Sequence, residues 1–310
     1  MDGIASIAAS SDGEASPSAR VSVIASRAGS ASAACIAARR SRSFVISAFI
    51  DSILTESYPV RQDGGVSNGS FLARRLAAEF IGSAFLAAIV FGSGIAAQRL
   101  SPGATGLELL ENSAATAAGL FAVILMFGPV SGAHFNPVVS LADAALGGVS
   151  WRDALAYLPA QVAGCVTGAV AANLMFGLSA VSISAKHRAS GAHALSEVIA
   201  TAGLLLVIFA LARSGRAATA PAAVGAYIGT AYWFTSSTSF ANPAITIGRM
   251  FSDTFAGIAP SSAPVFIAAQ LGGGIAGVLL IRFLYPALSP AQAAEAVVPH
   301  EDGIPASVVN

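Results

Sequence analysis

Two short stretches carry side chains able to act on a solute where polar groups are scarce. One is Ala133-His134-Phe135-Asn136-Pro137-Val138-Val139-Ser140; the other is Ser239-Phe240-Ala241-Asn242-Pro243-Ala244-Ile245-Thr246-Ile247. Each sets an Asn-Pro at the head of a short apolar segment, behind a run of Ser, Thr, Gly or Ala. Asn is a favoured helix N-cap, and Pro at the first helical position has no N–H to leave unsatisfied. A helix that starts this way inside a membrane aims free donors and a positive dipole end at whatever lies in front. Asn136 and Asn242 would then each offer a side-chain N–H to a passing hydroxyl. Pro137 and Pro243 would fix the turns, with Val138 and Ala244 next in line. Two such starts, in two halves of an apolar chain, point to a channel made from opposed half-helices.

The elements that must position these motifs follow from composition. The 310 residues are 55% hydrophobic and only 10% charged, with a mean hydropathy of +0.72. Soluble domains carry about a quarter charged residues, so the chain reads as an integral membrane protein. The formal net charge is zero, which gives nucleic acid no electrostatic foothold. Cys35 and Cys165 fit no metal or redox spacing. No Ser-His pair, acid dyad or metal-ligand cluster falls within the apolar runs. We therefore assign no catalytic residue, metal or cofactor.

Residues 1–70 are rich in Ser, Ala and Arg, without acids between Glu14 and Asp51. They read as a disordered or spuriously included extension, with an organelle transit peptide as the alternative. Residues 71–287 read as one channel domain, and 288–310 as a disordered tail. Apolar runs over 76–98, 113–130, 154–178, 194–212, 218–236 and 263–285 approach the roughly 20 residues a spanning helix needs, whereas 136–146 and 242–251 are half that length.

The domain repeats itself, over about 71–178 and 193–287. Glu79-Phe-Ile-Gly82 is echoed by Glu197-Val-Ile-Ala200, and Gln161-x-x-Gly164-x-x-x-Gly168 by Gln270-x-x-Gly273-x-x-x-Gly277. Three spans per repeat is an odd number, so the second copy enters the bilayer inverted and the two Asn-Pro turns meet at the midplane. Glu79 and Glu197 are acids inside apolar helices, expensive unless partnered. They could relay protons in an ion-coupled transporter, or accept backbone N–H groups ahead of a half-helix. Arg74, Arg75, Arg152, Arg213, Arg216 and Arg282 outnumber Arg99, Lys186, Arg188 and Arg249 on the other side. That bias puts both termini in the cytoplasm of a protein in the plasma (inner) membrane.

With these residues in place, the stretch 74–285 resembles the aquaporin and aquaglyceroporin family. Ser-Gly-Ala-His-Phe-Asn-Pro and Tyr-Trp-Phe-Thr-Ser-Ser-Thr-Ser-Phe-Ala-Asn-Pro-Ala look most like bacterial channels linked to arsenic-resistance operons. The resemblance implies an all-α aquaporin-like fold of six transmembrane helices and two half-helices. It implies passive passage of small neutral solutes through the lipid bilayer, and a homotetramer. It also makes Glu79 and Glu197 acceptors for the pore loops, and favours a loop-bracing hydrogen bond for His134. Val138 departs from the family's Ala. Where the family's constriction carries an Arg, counting without gaps gives Ile245, and the other filter positions fall on Thr116, Thr230 and Ser239. A filter without Arg or aromatic side chain suits glycerol-like polyols and neutral arsenic or antimony hydroxides, besides water. Arg249 and Asp253 stand at i,i+4 spacing and are expected to form a surface pair at the outer mouth, with a displaced filter cation as the other reading of Arg249. Tyr232 and Trp233 are expected to serve packing or the interfacial belt rather than the lumen. The rival reading is an ion-coupled secondary transporter using Glu79 and Glu197.

Overall fold

The computed structural model describes residues 68–286. All regular structure among them is helical: α1 (Asn68–Leu100), α2 (Thr105–Ser131), α3 (Pro137–Leu146), α4 (Trp151–Met175), α5 (Gly191–Arg213), α6 (Ala220–Phe234), α7 (Pro243–Gly248) and α8 (Ala263–Leu284). The expectations for 1–67 and for the tail after Pro286 lie outside the described residues. Among the described residues, five helices are long and apolar enough to cross a membrane: the α1 stretch Phe71–Leu100, then α2, α4, α5 and α8. The sixth span is shorter. Helix α6 has 15 residues and is preceded by a 3-10 turn, Ala217–Thr219. At about 1.5 and 2.0 Å per residue, turn and helix together reach roughly 28 Å, close to the thickness of a hydrocarbon core.

Packing obeys the repeat. Helix α1 lies along α4, and α5 along α8; α1 packs on α2, α5 on α6, and α2 meets α6 between the repeats. Each half-helix touches long helices of both repeats: α3 lies against α4, α8 and α5, and α7 against α4 and α8. The two closest helix pairs rest on matching glycines. A Cβ on Gly164 would stand 2.3 Å from the Phe80 carbonyl oxygen, and one on Gly273 would stand 2.5 Å from that of Val198. Small residues let helix backbones come this near in lipid, where dispersion rather than hydrophobicity holds helices together. The core formed between the helices includes Phe91, Phe135, Leu205, Phe209 and Ile281.

This geometry separates two chemically identical substitutions on glycines of the same long helices. Gly164→Ala should lower the thermal midpoint of the detergent-solubilised protein, because overpacking against backbone costs about 1–3 kcal/mol. Gly272→Ala meets nothing within 4 Å and should leave the midpoint unchanged or raise it, since Ala is the better helix former by up to about 1 kcal/mol.

Candidate functional site

Helices α3 and α7 begin as the Asn-Pro motifs predict. Asn136 and Asn242 are N-caps in extended conformation, each followed by Pro at the first helical position. The Asn136 side-chain oxygen accepts from Val138 N at 3.0 Å, and that of Asn242 from Ala244 N at 2.9 Å and Ile245 N at 3.2 Å. The amide nitrogens cross over. Asn136 Nδ2 donates to the Ala241 carbonyl at 2.7 Å, and Asn242 Nδ2 to the Phe135 carbonyl at 2.8 Å. An amide carries two N–H groups, so one on each Asn remains for a guest.

The loops ahead of the caps run through left-handed backbone at residues other than Gly. Ala133, Phe135, Ser239 and Ala241 have φ between 47° and 51°, and Thr238 has φ 63°. Each costs on the order of 1–3 kcal/mol unless its surroundings enforce it. Two fully buried carboxylates do so, with matching partners. Glu79 accepts from Ser131 Oγ (2.6 Å), His134 N (3.0 Å), Phe135 N (2.7 Å) and Gln161 Nε2 (2.7 Å). Glu197 accepts from Ser237 Oγ (2.6 Å), Phe240 N (2.9 Å), Ala241 N (2.8 Å) and Gln270 Nε2 (2.7 Å). Each carboxylate oxygen thus has two donors, the pattern of an ionised acid that only accepts. A further pair of equivalents, Ser140 and Thr246, takes a bond from Gln161 and Gln270 respectively, each at 2.9 Å. The His134 ring is packed away among Ser140 (Nδ1–Oγ 3.0 Å), Asp143 (3.4 Å) and the face of Tyr157.

A cavity passes both Asn side chains. Leu86, Val90, Leu120, Ile124, Leu204 and Ile208 form part of its apolar wall, and Val224, Ile228 and Ile245 continue it. Thr116, Tyr232, Ser239, Phe240 and Arg249 also line it, as do Ala133 to Asn136. Neither Glu79 nor Glu197 is among the lining residues, which leaves a proton-coupled mechanism without its acids. Val138 is not in the wall either: a Cβ on Gly274 would stand 2.6 Å from its Cγ1. Its extra methyls fill the space of a missing side chain on α8 and do not narrow the lumen.

Of the four sequence-predicted filter positions, Thr116, Ser239 and Ile245 face this cavity and Thr230 does not. Thr230 is exposed, its hydroxyl bonded to Ala226 O of its own helix at 2.8 Å. Tyr232 takes that place, because two residues along a helix turn a side chain through roughly 200°. The expected Arg249–Asp253 surface pair is also corrected. Helix α7 gives way to a 3-10 turn at Arg249–Phe251, and Ser252 is extended, so helical i,i+4 geometry does not exist there. Asp253 instead accepts from Ser184 Oγ and Ala185 N. Arg249 is buried, 2% exposed, with its Cζ 3.7 Å from the centre of the Phe240 ring. Its Nη1 donates to Ala256 O at 2.8 Å and its Nη2 to the Tyr232 hydroxyl at 3.3 Å, which lies 3.3 Å from Thr116 Oγ1. The expectation of a wall without Arg or aromatic is therefore overturned: Arg249, Tyr232 and Phe240 line the cavity. Trp233, by contrast, is exposed and donates to Ser113 Oγ. Thr230→Ala should leave glycerol permeability of reconstituted vesicles unaltered. Tyr232→Phe, which removes the hydroxyl between Arg249 and Thr116, should change the glycerol-to-water ratio in the same assay.

The chain and its fold have counterparts among known proteins. Residues 66–241 match the family model described as major intrinsic protein. The chain is 46% identical over 221 residues to aquaglyceroporin AqpS of Rhizobium meliloti (strain 1021), covering 71% of this chain and 93% of that protein. It is 34% identical over 261 residues to the glycerol uptake facilitator protein of Pseudomonas aeruginosa, covering 70% and 92%. The X-ray structure of the aquaglyceroporin from Plasmodium falciparum superposes with a TM-score of 0.54 at 21% identity, over 71% of this chain and 98% of that one, and so shares the fold. With its inverted helix triplets, its crossed Asn-Pro caps and these relatives, the chain belongs to the major intrinsic protein family.

Proposed function

We propose that this membrane channel passes small neutral hydroxyl-bearing solutes: water, glycerol-like polyols, and trivalent arsenic or antimony as their neutral hydroxides. The observation that carries the reading is a cavity lined mainly by apolar side chains that also carries two cap amides, three hydroxyls and a buried guanidinium. An uncharged solute exchanges its water hydrogen bonds for those of Asn136 and Asn242 as it passes. A cation meets Arg249 and both half-helix N-termini, and is desolvated besides. Thr116, Ser239, Ile245, Tyr232 and Arg249 then form the selective zone. The polyol and the metalloid hydroxide belong together because As(OH)3, neutral near pH 7, displays its hydroxyls much as a small polyol does. The names of the relatives, an aquaglyceroporin and a glycerol uptake facilitator, support the polyol. The cation bias supports cytoplasmic termini, and the family likeness supports residence in the plasma membrane and a homotetramer.

Vesicles bearing the protein should take up glycerol and arsenite faster than empty vesicles in stopped-flow and uptake measurements. Arsenite influx equal to that of empty vesicles would remove the metalloid from the reading, and equal glycerol influx would remove the polyol. Ile245→Arg places a second guanidinium in the zone. It should reduce glycerol permeability by at least about tenfold, within the range that pocket shape supplies, and water permeability much less. Equal losses would count against the position of Ile245.

A further inference from the structure

Beside the pore wall, the connection from α4 to α5 gathers cations against the chain that follows α7. Three successive carbonyls there are each held by a positive side chain. Phe255 O takes both Lys186 Nζ at 3.0 Å and Arg188 Nη2 at 3.3 Å. Ala256 O takes Arg249 Nη1 at 2.8 Å, and Gly257 O takes Arg188 Nε at 3.0 Å. Arg188 and Arg249 also share one ring, their Cζ atoms 5.4 and 3.7 Å from the centre of Phe240. Every acceptor in this cluster is neutral. Asp253 is turned to Ser184 and Ala185, and Glu197 is filled by its four donors.

Bracing a loop does not call for three charges, since neutral donors would hold carbonyls as well and without mutual repulsion. The repulsion shows in the connecting segment. Burial, then the charge of Arg249, holds Arg188 down to about 10. Lys186 is lowered by burial, then by Arg188 and Arg249, with Asp253 and Glu108 opposing only weakly. Donors are left over. Arg249 Nε is buried in the cavity wall with no partner among the described residues. Arg188 Nη1 makes no hydrogen bond there either, and Lys186 Nζ makes one of the three its ammonium could make. Fixed guanidinium and ammonium donors without a carboxylate match the oxygens of a small anion.

We propose that Lys186, Arg188 and Arg249 form an oxyanion-binding site at the mouth of the pore on the Arg249 side, and that an anion held there obstructs neutral solutes. The obstruction rests on the channel reading above; the binding does not. The test uses vesicles bearing the full chain and inorganic sulfate on both faces, with ionic strength held constant by sodium chloride. Glycerol permeability of the wild type should fall saturably with sulfate. Lys186→Gln/Arg188→Gln lies outside the cavity lining and should keep its sulfate-free permeability, with the midpoint raised at least about tenfold, as expected when charge-assisted bonds are lost. A flat response in the wild type, or the same midpoint in both proteins, overturns the proposal. Should the double variant not fold, Lys186→Gln alone, at an exposed residue, should raise the midpoint about threefold, and an unmoved midpoint again overturns it. Titration calorimetry of the detergent-solubilised protein with sulfate reads the site without flux. Saturable heat in the wild type that the variant loses upholds the site even if glycerol does not pass, and no binding in the wild type refutes it.

Discussion

The buried carboxylates Glu79 and Glu197 are the constraint on which the pore depends. Backbone that enters a membrane, turns at its midplane and leaves as a half-helix strands several N–H groups where no water reaches. Here the turns pass through left-handed conformations at Ala133, Phe135, Ser239 and Ala241, which no local propensity favours. Each carboxylate gathers two of those N–H groups together with a Ser and a Gln. An ionised group is costly to bury, but four donors to one carboxylate, each worth about 1.5–3 kcal/mol when charge-assisted, offset much of that cost. Once the loops are held, Asn136 and Asn242 have one way to satisfy an amide hydrogen, and it is on each other's loop. The solute path lies beside that crossing.

Around this crossing the two repeats match closely; away from it they diverge. The cap, the carboxylate and the glutamine recur at equivalent positions. Val138 stands where the second repeat has Ala244, and the helix facing it offers Gly274, where the other repeat has Cys165. Volume added in one place is removed in its neighbour, so the substitution leaves the lumen alone. The selective zone proposed above belongs wholly to the asymmetric part. Arg249, one turn past Ile245, reaches the cavity because the helix tightens and ends there, and Tyr232 and Phe240 hold its charge in place.

Much of this was legible in the sequence because it is written in local signals. Asn-Pro caps, apolar runs and the recurring Glu and Gln-x-x-Gly reveal the elements, the inversion and the supports. Counting across a whole helix reaches Thr116, which lines the cavity, because a continuous helix keeps register. Thr230 and Arg249 were misplaced where register fails. Between Thr235 and Asn242 the chain is irregular, and after Gly248 it is a 3-10 turn followed by extended backbone. Counting without gaps, or along an assumed helix, cannot follow such a path. The shortness of α6 was equally hidden, because Ala217–Thr219 has the composition of a helix and the geometry of a turn. The cation cluster could not be read ahead either: Arg249 lies about sixty residues beyond Lys186 and Arg188, and they meet through the carbonyls of Phe255 to Gly257 and the Phe240 ring.

The central claim is that solute passes beside the two crossed amides and bonds to both. An experimental density map of the protein in lipid with glycerol present tests it most directly. The account predicts a file of solute and water density through the cavity, with an oxygen within hydrogen-bond distance of Nδ2 on both Asn136 and Asn242. Ordered solute in a path that bypasses those amides, or amides drawn apart with the Ala241 and Phe135 carbonyls released, would contradict it.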